Sequence, residues 1–320
     1  MSRRLFVSAA VALAAALVLP TQGVATAAPE QKAPRSLSEI VSPRSPNTLP
    51  KHARTNTRAR AAAAAVTENT LYALSPNRDA VLMYDGTSWT QIGGAAAQIY
   101  AGGGQVFATN PTTGSIFYYE HETTTWHLIG GPGDQFVVDD AGILTGRSAG
   151  GVFEWWGTEW RKIGGPARSL IAGGEGLLAA TNTTNGDVYI YTAEPANPWQ
   201  KIGGAGQDFV ITAPGYIFGQ STGGIFTWTG TSWDWIQVGG PAGKMYGGPY
   251  LVATAPSNGN AFRFLEDQFR WESVGGAGDQ FAAANDGTLY RLNSTGVYRL
   301  SSSGDGSWAR VGDPASTLAV

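Results

Sequence analysis

Trp126-His127-Leu128-Ile129-Gly130-Gly131-Pro132-Gly133-Asp134-Gln135-Phe136-Val137-Val138 is one copy of a string that returns along the chain. Its core, Trp-x-x-Ile/Val-Gly-Gly/Asp, stands at Trp89, Trp126, Trp160, Trp199, Trp235, Trp271 and Trp308. The spacings are 37, 34, 39, 36, 36 and 37 residues. After the second Gly (Asp313 in the last copy) come Ala or Pro, then Ala or Gly, two variable residues and an apolar triplet. Seven gapless copies at one period mark a repeat architecture.

Each period holds about four strand-like runs, which in the second unit fall at 134–139, 142–147, 151–155 and 159–164. The third run alternates with period two, as a half-buried strand must. Its second position is Leu82, Phe117, Phe153, Tyr189, Phe226, Phe262 or Tyr298, and its fourth is Tyr84, Tyr119, Trp155, Tyr191, Trp228, Phe264 or Leu300. Turn residues such as Asn185-Gly186 and Asn258-Gly259 separate the runs and suit tight hairpins. Four short strands per repeat predict an all-β fold, a seven-bladed β-propeller of four-stranded blades. The chain ends agree. The seventh copy stops after its first strand, 316–320, and the first unit, starting near Thr70, lacks that same strand. The C-terminal strand is therefore expected to join the N-terminal blade and close the ring, leaving no open edge. In this plan the repeated Trp packs between or along the outer blade edges. The Gly pair makes a tight exit from the outer strand, where backbone approaches backbone.

Composition fits. The 320 residues include 44 Gly and eleven Trp, with 14% charged; this is too much Gly for a helical fold and too much Trp for disorder. Cys is absent, which excludes disulfides, thiol nucleophiles and zinc–thiolate sites. At the N-terminus, Arg3 and Arg4 precede an apolar run from Leu5 to Leu19 and then Ala25-Thr26-Ala27. Residues 1–27 read as a signal peptide, and Ser2-Arg3-Arg4-Leu5-Phe6 also matches a twin-arginine signal. Export by the Sec or the twin-arginine route, and a secreted, extracellular protein, are expected. Residues 28–65, with five Pro and five Arg, read as a disordered linker or propeptide. The propeller is assigned to 66–320. That segment carries 12 Lys and Arg against 22 Asp and Glu, a net charge of −10, which argues against nucleic acid. No second long apolar run predicts a membrane span.

Asp279-Gln280-Phe281-Ala282-Ala283-Ala284-Asn285-Asp286-Gly287-Thr288-Leu289-Tyr290-Arg291-Leu292, followed by Gly296-Val297-Tyr298 and Trp308-x-x-Val311-Gly312, resembles a repeat of the tachylectin-2 family. Tectonin-like propeller lectins share the plan. The resemblance implies sugar binding in pockets between blades, repeated around the ring, with glycans or polysaccharide of a cell surface or matrix as partners. This chain departs from it in two ways. Tachylectin-2 has five blades and a longer repeat, against seven here. The variable pair after the glycines also differs between units: Ala97-Gln98, Asp134-Gln135, Arg168-Ser169, Gln207-Asp208, Gly243-Lys244, Asp279-Gln280 and Ser316-Thr317. Sites built on that pair would not be equivalent.

An enzyme needs a constellation that breaks the repeat symmetry. His121 and His127 flank one outer strand and read as solvated edge residues. Asp139-Asp140 lies in a Gly turn, where Asp caps backbone N–H groups. His-Glu-x-x-His does not occur, and Ser303-Gly304-Asp305-Gly306-Ser307-Trp308 is a single compressed likeness of a sialidase Asp box. The reading is a non-catalytic lectin with no cofactor and no metal. A protein-binding scaffold is the alternative, and a propeller lyase or hydrolase ranks third. Planar polar groups read sugar hydroxyls in pairs. The candidates are Gln98, Asn110, Asp134, Gln135, Asn182, Gln207, Asp208, Asp279, Gln280 and Asn293. For each, turn chemistry or a solvent-facing strand end is the competing role.

Overall fold

Alternation along the third run sends neighbouring side chains to opposite faces of a pleated sheet. In the strand Gly151–Trp155, Val152 is 1% exposed while Phe153 is half-buried. In a computed structural model, which describes residues 69–320 except 193, 214, 231, 232 and 303–305, every repeat forms a four-stranded antiparallel sheet. There are seven such sheets. The expected signal peptide (1–27), the linker (28–65) and Ser303-Gly304-Asp305 lie outside the described residues.

Blade 1 comprises Leu71–Leu74, Val81–Tyr84 and Trp89–Gly93, with Thr317–Ala319 as its first strand. The register Tyr72↔Ala319, Ala73↔Leu318 and Leu74↔Thr317 joins the two ends of the chain. Blades 2 to 7 follow in chain order. Their first strands are Gln98–Gly102, Gln135–Val138, Ala167–Gly173, Asp208–Thr212, Met245–Tyr246 and Gln280–Ala283. Each first strand touches that of the next blade in a closed circuit, 7 to 1 included, so these strands surround the axis and the Trp-bearing fourth strands lie outermost.

The core is divided among the seams. Seven apolar clusters each join two neighbouring blades. One sets Phe218 and Ile225 of blade 5 against Met245, Leu251 and Phe264 of blade 6, and another sets Leu71 and Leu318 of blade 1 against Tyr290 and Leu292 of blade 7. Sheets that bury both faces this way need large apolar side chains on either side.

The repeated motif is the clasp of each seam. The indole Nε1 of Trp126 donates to the carbonyl of Ile92 in the preceding blade. Trp160 does the same to Ile129, Trp199 to Ile163, Trp235 to Ile202, Trp271 to Val238 and Trp308 to Val274. Trp89 donates to Val311 at 2.7 Å, which closes the ring a second time. Each accepting residue is skipped in its own ladder. Val81 pairs with Gly93 and Leu82 with Gln91, leaving Ile92 as a bulge, and the same shift recurs in the other six blades. The bulge frees a carbonyl that a regular ladder would consume.

This geometry revises the role expected for the Gly pair. A Cβ on the first glycine would strike the neighbour's indole: 2.9 Å from Trp126 Nε1 at Gly93, 2.7 Å from Trp160 Nε1 at Gly130, 2.7 Å from Trp235 Nε1 at Gly203. What comes close is a side chain of the next blade, not backbone. At the second glycine (Gly94, Gly131, Gly165, Gly204 and Gly240) a Cβ would meet nothing within 4 Å.

One half-buried carboxyl gives the fold a pH signature. Glu266, in the hairpin between the third and fourth strands of blade 6, accepts a hydrogen bond from the Thr212 hydroxyl at 3.2 Å. Burial pushes its carboxyl up to about 8. An acid whose pKa is raised on folding holds a proton that the unfolded chain releases. Its contribution is complete below about 4.5, the usual value, and is lost as pH rises through 8. Glu266→Gln should therefore stabilise the protein by on the order of 1–2 kcal/mol at pH 8, discounted for partial solvent access, and change little at pH 4. Urea titrations at both pH values check this, and an equal effect at both would refute it.

Candidate functional site

The ten candidate residues share one end of the ring, because a first strand begins beside the end of the second strand it pairs with. Gln98 faces Thr109, which places Asn110 next to Ala97. Asp208 faces Gln220, and Gln280 faces Leu292.

Their individual roles differ. Asn110 Oδ1 accepts the N–H groups of Thr112 and Thr113, Asn182 Oδ1 that of Thr184, and Asn293 Oδ1 that of Thr295. These three are Asx turns holding hairpins between second and third strands. Gln135 clasps the next blade: its Nε2 donates to the Leu170 carbonyl and its Oε1 accepts the Leu170 N–H, both at 2.9 Å. Gln280 repeats this on Leu318, both at 2.8 Å. Asp134 is exposed beside Arg147, 3.6 Å from Nη1. Lys244 Nζ donates to the Asp279 carbonyl at 3.2 Å. Gln98 is exposed on blade 2.

Gln207 and Asp208 stand where the seams open. A cleft of about 640 Å³ between blades 5 and 6 is lined by Gln207, Asp208, Gln220, Thr222, Pro241, Ala242, Gly243 and Lys244. A second, of about 450 Å³, runs over blades 3 to 5 and is lined among others by Gln135, Arg168, Ser169, Thr181, Gln207, Asp208 and Phe209. Three of the ten candidates thus line a cleft: Gln135, Gln207 and Asp208. The other seven line neither.

Sequence reasoning left out Arg168, Ser169, Thr181, Gln220, Thr222 and Lys244. Three of these stand in the variable pair, and that column was the signal. Gln220 and Thr181 come from second strands, opposite Asp208 and Ser169. Gln220 Nε2 donates to the Ala242 carbonyl at 2.6 Å, and Ser169 and Thr181 share a hydroxyl bond of 2.6 Å.

Electrostatics mark the same place. Protein packed around the solvent-facing Asp208 raises its carboxyl above the ordinary range, while the Phe209 N–H pulls the other way. Tyr246, on the first strand of blade 6, has its phenol pushed up to about 12, first by burial and then by the charges of Asp279 and Asp208. Its hydroxyl is buried without a hydrogen-bond partner. These clefts offer amides, hydroxyls, one carboxylate, one ammonium and one guanidinium, a set that can donate to and accept from vicinal hydroxyls.

The residues weighed for catalysis lie elsewhere. His121 and His127 belong to the opposite end of blade 2. His121 is not the solvated residue expected: it packs edge-on against Tyr119, sits 3.2 Å from the Tyr72 hydroxyl, and is held down at about 4 by burial. His127 is exposed and pairs with Glu120. Asp139 caps the N–H groups of Ala141 and Ile143 in its own turn, the role read for it, whereas Asp140 reaches across the seam to the N–H groups of Glu175 and Gly176 in blade 4. Among the described residues no group of three or more His, Cys, Asp or Glu is placed to hold a metal. Among them also, no helix is long and apolar enough to cross a membrane.

Fold and clefts together define a closed β-propeller with two clefts along the seams from blade 3 to blade 6. The tectonin domain family matches residues 95–268. The chain belongs to that tachylectin-2-like family, which is associated with lectin-like carbohydrate binding. No curated protein matches the chain. Solved structures align with the chain at low identity. The WD40 repeats of RRP9 align with a TM-score of 0.52 at 9% identity, over 78% of this chain and 89% of that one. A streptogramin B lyase aligns at 0.50 and 9%, over 70% and 87%. The extracellular domain of a hybrid two component system from B. thetaiotaomicron aligns at 0.47 and 10%, over 67% of this chain, which spans 32% of that protein's length.

Proposed function

We propose that the chain is a secreted, non-catalytic carbohydrate-binding protein whose sugar sites lie in seams between blades. The observation that carries this is the cleft between blades 5 and 6. Gln207, Asp208, Gln220 and Lys244 line it, and planar or charged groups of this kind bind sugar hydroxyls in pairs. Membership of the tectonin family supports the same reading. Secretion rests on the order of Arg3-Arg4, the apolar run and Ala25-Thr26-Ala27.

A glycan array probed with the purified chain tests the proposal. Saturable binding to a class of glycans is expected, competed by the free sugar and leaving the glycan intact. Silence across the array would sink it. The reading would then pass to a protein-binding scaffold, for which Trp156 and Trp233, 40% and 60% exposed, are the specific observation. Both indoles lie on hairpins at the end of the ring away from the clefts, with Arg161 and Lys201 over their faces. Solvent-exposed Trp of this kind is enriched where proteins meet.

A further inference from the structure

Seven-fold repetition is kept at the indole clasps and broken at the starts of the first strands. At the seams between blades 3 and 4 and between blades 7 and 1, a glutamine spends both ends of its amide on the next blade's backbone, Gln135 on Leu170 and Gln280 on Leu318. Each of those two seams carries an amide staple. In blades 4 and 5 the same column holds Ser169 and Asp208. The Ser169 hydroxyl turns back to Thr181, and the Asp208 carboxylate accepts the N–H of its own neighbour Phe209. The two clefts lie at the starts of these strands, and the second extends to Gln135 of blade 3. Gln207 and Asp208 line both clefts, so the two meet at the start of one strand. Each falls within the range of about 300–1,000 Å³ typical of small-molecule sites.

Resting on the carbohydrate reading, we infer that the chain binds one linear, neutral oligosaccharide laid across blades 3 to 6, in place of one monosaccharide at each of seven seams. Gln207 and Asp208 hold its middle. Arg168 lies in the cleft on one side and Lys244 in the cleft on the other. Phe209 is the one aromatic among the lining residues and is itself buried, so recognition runs through hydrogen bonds to hydroxyls more than through stacking. Neutrality follows from the field of the propeller: a net charge of −10 over residues 66–320 repels a polyanionic glycan at long range.

The test is calorimetric titration of the full chain with cello-, chito- and malto-oligosaccharides of one to six units. In at least one series, affinity should climb about tenfold or more from one unit to four and then level, with one oligosaccharide per chain. Asp208→Ala should weaken the longest member of that series tenfold or more, and Glu159→Ala, at the other end of the ring, should not. Several sites per chain, or a monosaccharide bound as tightly as a tetrasaccharide, would overturn the single extended site while leaving the sugar reading standing. Silence in all three series also overturns it, whereas failure of the sugar reading itself shows as a silent array.

Discussion

Removing residues 317–320 should abolish cooperative folding of the ring. The lost segment holds three residue pairs of blade 1's ladder. It also holds Leu318, 4% exposed in the cluster that joins blades 7 and 1. A buried Leu cut to Ala costs about 2–5 kcal/mol. The half-buried Gln280 loses both partners of its amide at once, two hydrogen bonds worth about 1 kcal/mol net each. The strand Leu71–Leu74 would then become an open edge at the axis, where first strands otherwise touch on both sides. Against a total stability of about 5–15 kcal/mol, these losses are decisive. Circular dichroism and calorimetry on the truncated chain should show a broad, low-temperature transition or none. A synthetic peptide of residues 314–320 added in trans should restore a sharp one. A truncated chain melting within a few degrees of the intact protein would mean the ring does not depend on this strand.

The fold was legible in the sequence because its determinants repeat. Seven Trp at a nearly fixed spacing, and a first unit lacking the strand on which the last unit ends, specify blade number and closure without further information. The clasp itself was less legible. Trp126 reaches Ile92 across a seam, and no pattern in a linear string distinguishes an indole aimed at a neighbouring carbonyl from one packed along an edge. The site was half legible. The variable pair is the column that lines the clefts, yet Gln135 and Gln280 look like ligand-reading amides and serve as staples. Gln207 and Asp208 look no different in sequence and stand open. Gln135 and Gln280 reach the next blade's backbone, whereas the Asp208 carboxylate accepts from its own neighbour Phe209, and distance across a seam is not written in the period. Asn110, Asn182 and Asn293 show the converse: their local Asx geometry was readable, and it accounts for them.

Gly130→Ala and Gly131→Ala should differ sharply although the two glycines are adjacent and identical. A Cβ at Gly130 would lie 2.7 Å from Trp160 Nε1 and 3.1 Å from Ile116 Cγ2. The indole cannot retreat, because its Nε1 is bound to the Ile129 carbonyl at 2.8 Å and its other side meets Trp155 and Phe136. Overpacking costs about 1–3 kcal/mol, and displacement of the indole adds the loss of its hydrogen bond, about 1 kcal/mol net. For a domain of this size such a loss lowers Tm by roughly 2–4 °C per kcal/mol. At Gly131 a Cβ meets nothing within 4 Å, and its φ is not in the left-handed region. Alanine there should leave stability within about 0.5 kcal/mol, or raise it by restricting the unfolded chain. The same split should appear between Gly203 and Gly204, where the first glycine faces Trp235 Nε1 at 2.7 Å and the second faces open space. Urea unfolding of the four variants decides the matter. If the second glycine of each pair proves as costly to replace as the first, the pair serves the backbone of its own strand, and the indole clasp is not what the motif encodes.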